Sequence, residues 1–193
     1  MPKPIPKYRS NPIRNAGLAF LIMGLFLIGA AVIFFLADAQ ENALKSAGVV
    51  IAPVNVEYAA PQLALTDLQG NSPSLEDYSG KVILVNNWAT WCPPCKAEMP
   101  ELQVYYATHT DDGFVVIGIE SGEPANTVEN FVRQNKLSFP VWLDPHGVAL
   151  EAFQNWNLPN SCVIDREGIV RMSWTGPINQ ATLDKYITPL LEK

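Results

Sequence analysis

The stretch NNWATWCPPCKAEMP, Asn86 to Pro100, sets two cysteines, Cys92 and Cys95, two residues apart behind a short apolar run, Val82–Val85. That β-branched run suits a central strand buried on both faces. Beyond the cysteines, Lys96–Tyr106 has helical composition, with Pro100 expected to kink the helix. Pro93 fits the first helical position, where a missing N–H costs nothing. Cys92 then becomes the N-cap, with its sulfur at the positive end of the helix dipole. That position favours thiolate and marks Cys92 as the nucleophile. Cys95, one turn inward, is close enough to bond Cys92 and to resolve a mixed disulfide formed on it.

Other uses of the pair are weaker. Zinc needs four ligands, and the remaining candidates, Cys162, His109 and His146, lack the spacing of zinc sites. A purely structural disulfide closing so short a loop would add little, because the entropic gain grows with loop length. Pro93 and Pro94 remove two N–H donors that would otherwise solvate a thiolate, and no histidine stands between the cysteines. A moderately acidic Cys92 is expected, which leans towards a reductant.

Working outward, the pattern is that of an α/β domain from Pro61 to the C-terminus. Leu63–Thr66 and Ser74–Leu75 flank the turn-rich Gln69–Pro73 and suggest a hairpin. Phe114–Ile119 reads as a second buried strand, Pro124–Gln134 as a helix, Phe139–Leu143 as a third strand and Val148–Phe153 as a short helix. Ser161–Asp165 and Ile169–Trp174 read as strands joined through Arg166-Glu167-Gly168, and Asn179–Leu191 as a closing helix. Strands alternating with helices imply a central mixed sheet covered on both faces. There is no internal repeat.

Towards the N-terminus, residues 16–37 (AGLAFLIMGLFLIGAAVIFFLA) form a run of 22 without a charge. As a helix it spans roughly 33 Å, enough to cross a bilayer. Lys3, Lys7, Arg9 and Arg14 precede it and Asp38 and Glu41 follow, so residues 1–15 are expected in the cytoplasm and residues 38–193 outside. A cleaved signal peptide is the rival reading, through the A-x-A site Ala37-Asp38-Ala39, although the run exceeds a usual signal core. Residues 38–60 read as a spacer. Nine of the 13 Lys and Arg follow the anchor against all 19 acids, a net −10 for residues 38–193. So acidic a domain is a poor match for nucleic acid or an anionic lipid surface. Three cysteines are too few for a stapled scaffold.

WATWCPPCKAEMP behind KVILVNNW resembles the active site of thioredoxin-fold proteins, and more narrowly the membrane-anchored, extracytoplasmic ResA/TlpA/CcmG branch. The likeness also takes in LTDLQGNSPSLEDYSGK, the inserted IGIESGEPANTVENFVRQNKLSFPVWLD and LPNSCVIDREGIV. It implies a thioredoxin-like fold with an N-terminal β-hairpin and a central inserted αβ segment. It implies Cys92 as attacking and Cys95 as resolving thiol, and Pro159 at the family's cis-proline position, with Leu158 offering backbone groups to a substrate strand. Glu98 matches an acid that the branch keeps near its cysteines, where it could carry the proton of Cys95. Trp91 would flank the exposed sulfur, while Trp88 belongs to the core.

Three positions depart from the wider family. Asn86 stands where cytoplasmic thioredoxins carry a buried aspartate, which shifts acid–base duty to Glu98. Asn87 replaces a usual phenylalanine and needs a hydrogen-bond partner if buried. Cys162 replaces an apolar core residue and is read as a buried thiol packing as a small hydrophobe.

The expectation is a membrane-anchored thiol–disulfide oxidoreductase reducing protein disulfides outside the cytoplasm, with no cofactor beyond the Cys92–Cys95 pair. The resemblance implies electrons from a membrane thiol carrier and an apocytochrome C-x-x-C-H disulfide as the commonest substrate. A disulfide-forming oxidase and a non-catalytic Cu(I) chaperone are the rivals. A peroxidase is disfavoured, since no P-x-x-x-T-x-x-C pattern surrounds either cysteine.

Overall fold

The computed structural model describes residues 28–30, 32–33 and 52–192. The chain divides between Val49 and Val50 into two units. In the first, residues 28–30, 32 and 33 are helical, with Ile28, Val32 and Ile33 exposed. The rest of the expected anchor, the cytoplasmic segment 1–15 and the cleavage site at Ala39 lie outside the described residues. No helix among the described residues is long and apolar enough to cross a membrane.

The second unit runs β1 (Val54–Ala59), β2 (Thr66–Asp67), β3 (Val82–Trp88), α1 (Pro93–His109), β4 (Phe114–Ser121), α2 (Ala125–Gln134), β5 (Val141–Asp144), α3 (Val148–Ala152), β6 (Asn160–Ile164), β7 (Ile169–Thr175), α4 (Gln180–Tyr186) and α5 (Thr188–Leu191). One seven-stranded sheet has the order β1-β7-β6-β3-β4-β5-β2. β3, β4 and β5 are parallel, and the other pairings are antiparallel.

β3 lies at the centre and is buried at every position. Its alternate side chains meet two separate cores. Val82, Leu84 and Trp88 join Cys95, Met99, Leu102 and Tyr105 of α1 on one face. Ile83 and Val85 join Val115, Ile117, Trp142 and Cys162 on the other. Double coverage explains why the strand reads as a continuous apolar run. Each fully buried Leu or Ile contributes roughly 1.5–3 kcal/mol, so these two layers supply much of the fold's stability.

The structure corrects the sequence reading in three places and extends it in a fourth. The spacer does not extend to residue 60: β1 adds to the sheet edge against β7, and the Ala60 N–H donates to the Gly168 carbonyl at 2.8 Å. β1 is exposed at five of its six positions, so it carries little apolar signal. The N-terminal hairpin forms as expected around the Ala64–Ser74 bridge, the Leu75 N–H donating to the Leu63 carbonyl, the Leu65 N–H to that of Pro73 and the Asp67 N–H to that of Asn71. Its Thr66–Asp67 arm also pairs with β5, which the sequence did not disclose. Pro73 supplies no N–H, but its carbonyl accepts the Leu65 N–H at 3.2 Å, and Ser74 then opens a 3₁₀ turn, Leu75–Tyr78, through a capping box with Asp77. The third strand starts at Val141, because Pro140 likewise lacks a donor. The closing helix breaks at Ile187, where Pro189 in the first turn of α5 cannot continue the α4 ladder.

Gly118 on β4 is closely packed between Phe139 and Trp88. A Cβ there would stand 2.9 Å from Phe139 Cε2 and 3.1 Å from Trp88 Nε1. Gly118→Ala is therefore expected to destabilise the domain by about 1–3 kcal/mol through overpacking. Urea unfolding reads this directly, and an unchanged midpoint would show that this corner of the core is loose.

Candidate active site

Cys92 is the N-cap of α1, in extended conformation, with Pro93 and Pro94 in the first turn. Its sulfur accepts the Cys95 N–H at 3.3 Å and is bonded to the Cys95 sulfur, the two Cα atoms standing 5.3 Å apart. This is the placement expected from the sequence. Cys92 is 3% exposed and Cys95 fully buried, so the difference in access is smaller than the sequence suggested. Trp91, 64% exposed, is the large apolar surface next to Cys92, whereas Trp88 is in the core.

Glu98, one helical turn beyond Cys95, is 1% exposed rather than solvated. Asn86 Nδ2 donates to its Oε1 and the Ile178 N–H donates to its Oε2, both at 2.8 Å. Burial pushes its carboxyl up to about 7 against the pull of these two donors. A carboxyl with its value there can gain or lose a proton near neutral pH. Asn86 also donates to Ser161 Oγ at 3.0 Å, so one amide ties α1 and β6 to β3.

The Leu158–Pro159 bond is cis, and Leu158 packs against the cluster that contains Cys92 and Cys95. The Pro159 carbonyl accepts the Gly176 N–H at 2.8 Å. Asn87 finds its partner in Asn160, in register across β3 and β6. Cys162 is 3% exposed on the face away from α1, and burial pushes its thiol far up. It stands apart from the dithiol. Among the described residues, no group of three or more His, Cys, Asp or Glu is arranged to hold a metal ion.

Two acids escaped the sequence reading. Glu123 accepts from the Thr90 N–H at 2.7 Å and the Thr90 hydroxyl at 2.6 Å, fastening the turn that leads to Trp91 and Cys92. Burial acts to raise its carboxyl, but the bonds from Thr90 prevail and hold it below the ordinary range. Glu120, fully buried, accepts the Glu123 N–H at 3.1 Å. Burial, then its contact with the Glu123 side chain, pushes it up to about 8. The two acids thus divide the work, one ionised and one neutral. The signal in the sequence was an acid, Glu120, closing an otherwise apolar strand.

With this geometry in place, residues 56–173 match the profile of the AhpC/TSA family. The chain belongs to that family. It is similar to thiol-disulfide oxidoreductase ResA of Geobacillus kaustophilus, 34% identical over 134 residues, which cover 69% of this chain and 77% of that one. ResA of Bacillus thuringiensis (strain Al Hakam) is 30% identical over 175 residues, 88% of this chain and 94% of the relative. Among solved structures, a thiol:disulfide interchange protein of the thioredoxin family from Chlorobium tepidum superposes with a TM-score of 0.65 at 28% identity. The match covers 72% of this chain and all but 1% of that one (99% covered). The protein is a thioredoxin-fold thiol–disulfide oxidoreductase of the ResA type, carrying the Cys92–Cys95 pair.

The buried Glu98 has a consequence for stability. Its folded value, about 7, lies above its ordinary 4.5. The folded state therefore holds the proton more tightly, and its contribution is full below pH 4.5 and lost as pH rises towards 7. Glu120 acts in the same direction up to about 8. Urea unfolding at pH 5, 6, 7 and 8 should show stability falling across this range. Glu98→Gln should lessen the fall by about 1–3 kcal/mol. A variant with the wild-type slope would mean that Glu98 is not the titrating group.

Proposed function

We propose that this oxidoreductase works as a reductant of protein disulfides outside the cytoplasm, held at the membrane by residues 16–37. The observation that carries the reading is Glu98, buried one turn behind the resolving cysteine. In the reductive direction the Cys92 thiolate attacks a substrate disulfide, forming a mixed disulfide and releasing one substrate thiolate. Cys95 must then lose its proton to attack Cys92 and release the second. Glu98 as carboxylate accepts that proton, and two electrons leave the dithiol as the Cys92–Cys95 bond closes. A membrane thiol carrier would reopen the pair.

Two further features favour this direction. Pro93 and Pro94 withhold two N–H donors from the Cys92 sulfur, and no histidine adds charge between the cysteines. The resemblance of the CPPC segment to the extracytoplasmic branch points to an apocytochrome C-x-x-C-H disulfide as substrate, reduced before haem attachment. The uncharged run at residues 16–37 and the basic residues before it favour a single-pass anchor with the domain outside.

The reduction potential tests the direction. A value near −270 mV is expected for a reductant, and one near −120 mV would make the protein an oxidase instead. Glu98→Gln should slow resolution of the mixed disulfide by about 10–100-fold while leaving its formation near the wild-type rate. Equal slowing of both steps would remove Glu98 from the proton path. Cys95→Ser in the full chain should accumulate the natural partner on Cys92. Adducts that lack a C-x-x-C-H protein would redirect the substrate assignment.

A further inference from the structure

Asn87 follows Asn86 on β3 and so faces the opposite side of the sheet, away from α1. It is 1% exposed and stands in register with Asn160 of β6, which is 2% exposed. Asn87 Nδ2 donates to Asn160 Oδ1 at 2.8 Å. Asn160 Nδ2 donates in turn to the carbonyls of Asn157 at 2.7 Å and Asn155 at 3.1 Å. Both hydrogens of that amide are thereby used, and its oxygen is held by Asn87. Turned over, Asn160 would aim its oxygen at two carbonyl oxygens and its NH₂ at the NH₂ of Asn87. The partner on β3 therefore makes the wrong orientation repulsive at both ends.

The segment so fixed leads directly into the cis Leu158–Pro159 bond. One side chain from the sheet holds it at Asn155 and Asn157. A second tie joins Asn155 Nδ2 to Thr175 Oγ1 at 3.0 Å. Between the two held carbonyls, Trp156 stands 65% exposed, while Leu158 packs against the cluster around the dithiol. Apolar side chains would fill this part of the sheet without desolvating two amides, and Asn87 Oδ1 is buried with no partner at all. Packing alone does not account for such a pair; a fixed loop does.

We propose that Asn87 and Asn160 are positioning residues for the polypeptide substrate. Their amide pair holds the loop that carries Trp156 and Leu158 in the shape an extended, disulfide-bearing chain docks against. This rests on the reading that the dithiol acts on protein disulfides. The step concerned is the first. The Cys92 thiolate bonds one substrate sulfur, the substrate S–S bond breaks, and the other sulfur leaves as thiolate. A small disulfide needs only Cys92 for this; a polypeptide also needs the loop.

The experiment measures capture by Cys92 in the full chain carrying Cys95→Ser, against two probes, oxidised insulin and 5,5′-dithiobis(2-nitrobenzoate). Adding Asn87→Leu with Asn160→Ala removes both amide partners together, which leaves neither one buried and unpaired and so preserves folding best. Insulin capture should slow about tenfold, the factor expected for a lost hydrogen bond, while the small-disulfide rate falls by less than about twofold. A parallel fall in both rates, or no fall in either, overturns the proposal. Failure of the Cys95→Ser parent to capture either probe would instead overturn the role of Cys92, and this inference with it. Should the double variant not fold, Trp156→Ala on the exposed side of the loop decides. Slower insulin capture alone supports the proposal, and an unchanged rate sinks it.

Discussion

The hydrogen bond from Asn86 to Glu98 holds this site together. A carboxyl group taken out of water is strongly unfavourable unless it is paired or neutral. Here it receives two donors, one from the central strand and one from the backbone at Ile178. The same bond joins β3 to α1, the helix whose N-terminus carries the dithiol. An aspartate in place of Asn86 would set two carboxyls against each other and force one to keep a proton. An amide leaves Glu98 free to gain or lose its own.

Adjacent residues on β3 thereby divide two tasks between the two faces of the sheet. Asn86 serves the helix side, where the thiols and their acid lie. Asn87 serves the opposite side, where Asn160 fixes the approach to the cis-proline loop. Both sit at the end of the strand nearest the Cys92 turn, where it gives way from core to site. Up to Val85 the strand is apolar on both faces; beyond it each face carries an amide.

This division shows what a sequence discloses. The central strand before Cys92 and the N-cap with Pro93 behind it were legible because each depends on local chemistry, an apolar run and a missing donor, while the cis-proline candidate Pro159 came from the family resemblance. β1 was not legible, because an edge strand exposed at most positions has no apolar alternation to display. The pairing of β2 with β5 was not legible either, because a two-residue strand finds that partner far along the chain. Glu98 was visible as an acid matching the resemblance, but the burial that raises its carboxyl and the opposing bond from Ile178, 80 residues away, are long-range properties. Asn87 announced a need for a partner without naming one, because register between β3 and β6 is a long-range property.

The remaining acids complete the enclosure of the dithiol. Glu123 holds Thr90 with two short bonds, and it can stay ionised because the neighbouring Glu120 stays neutral. The turn before Cys92 is thus fastened by charge-assisted bonds, the helix after it by Glu98, and the loop before the cis-proline by Asn160. Each fastening lies behind or beside the sulfurs. Cys92 itself is almost covered, whereas Trp91, the residue before it, is 64% exposed. The surroundings of the dithiol are thereby held by bonds to Glu123, Glu98 and Asn160, which come from three different segments of the chain.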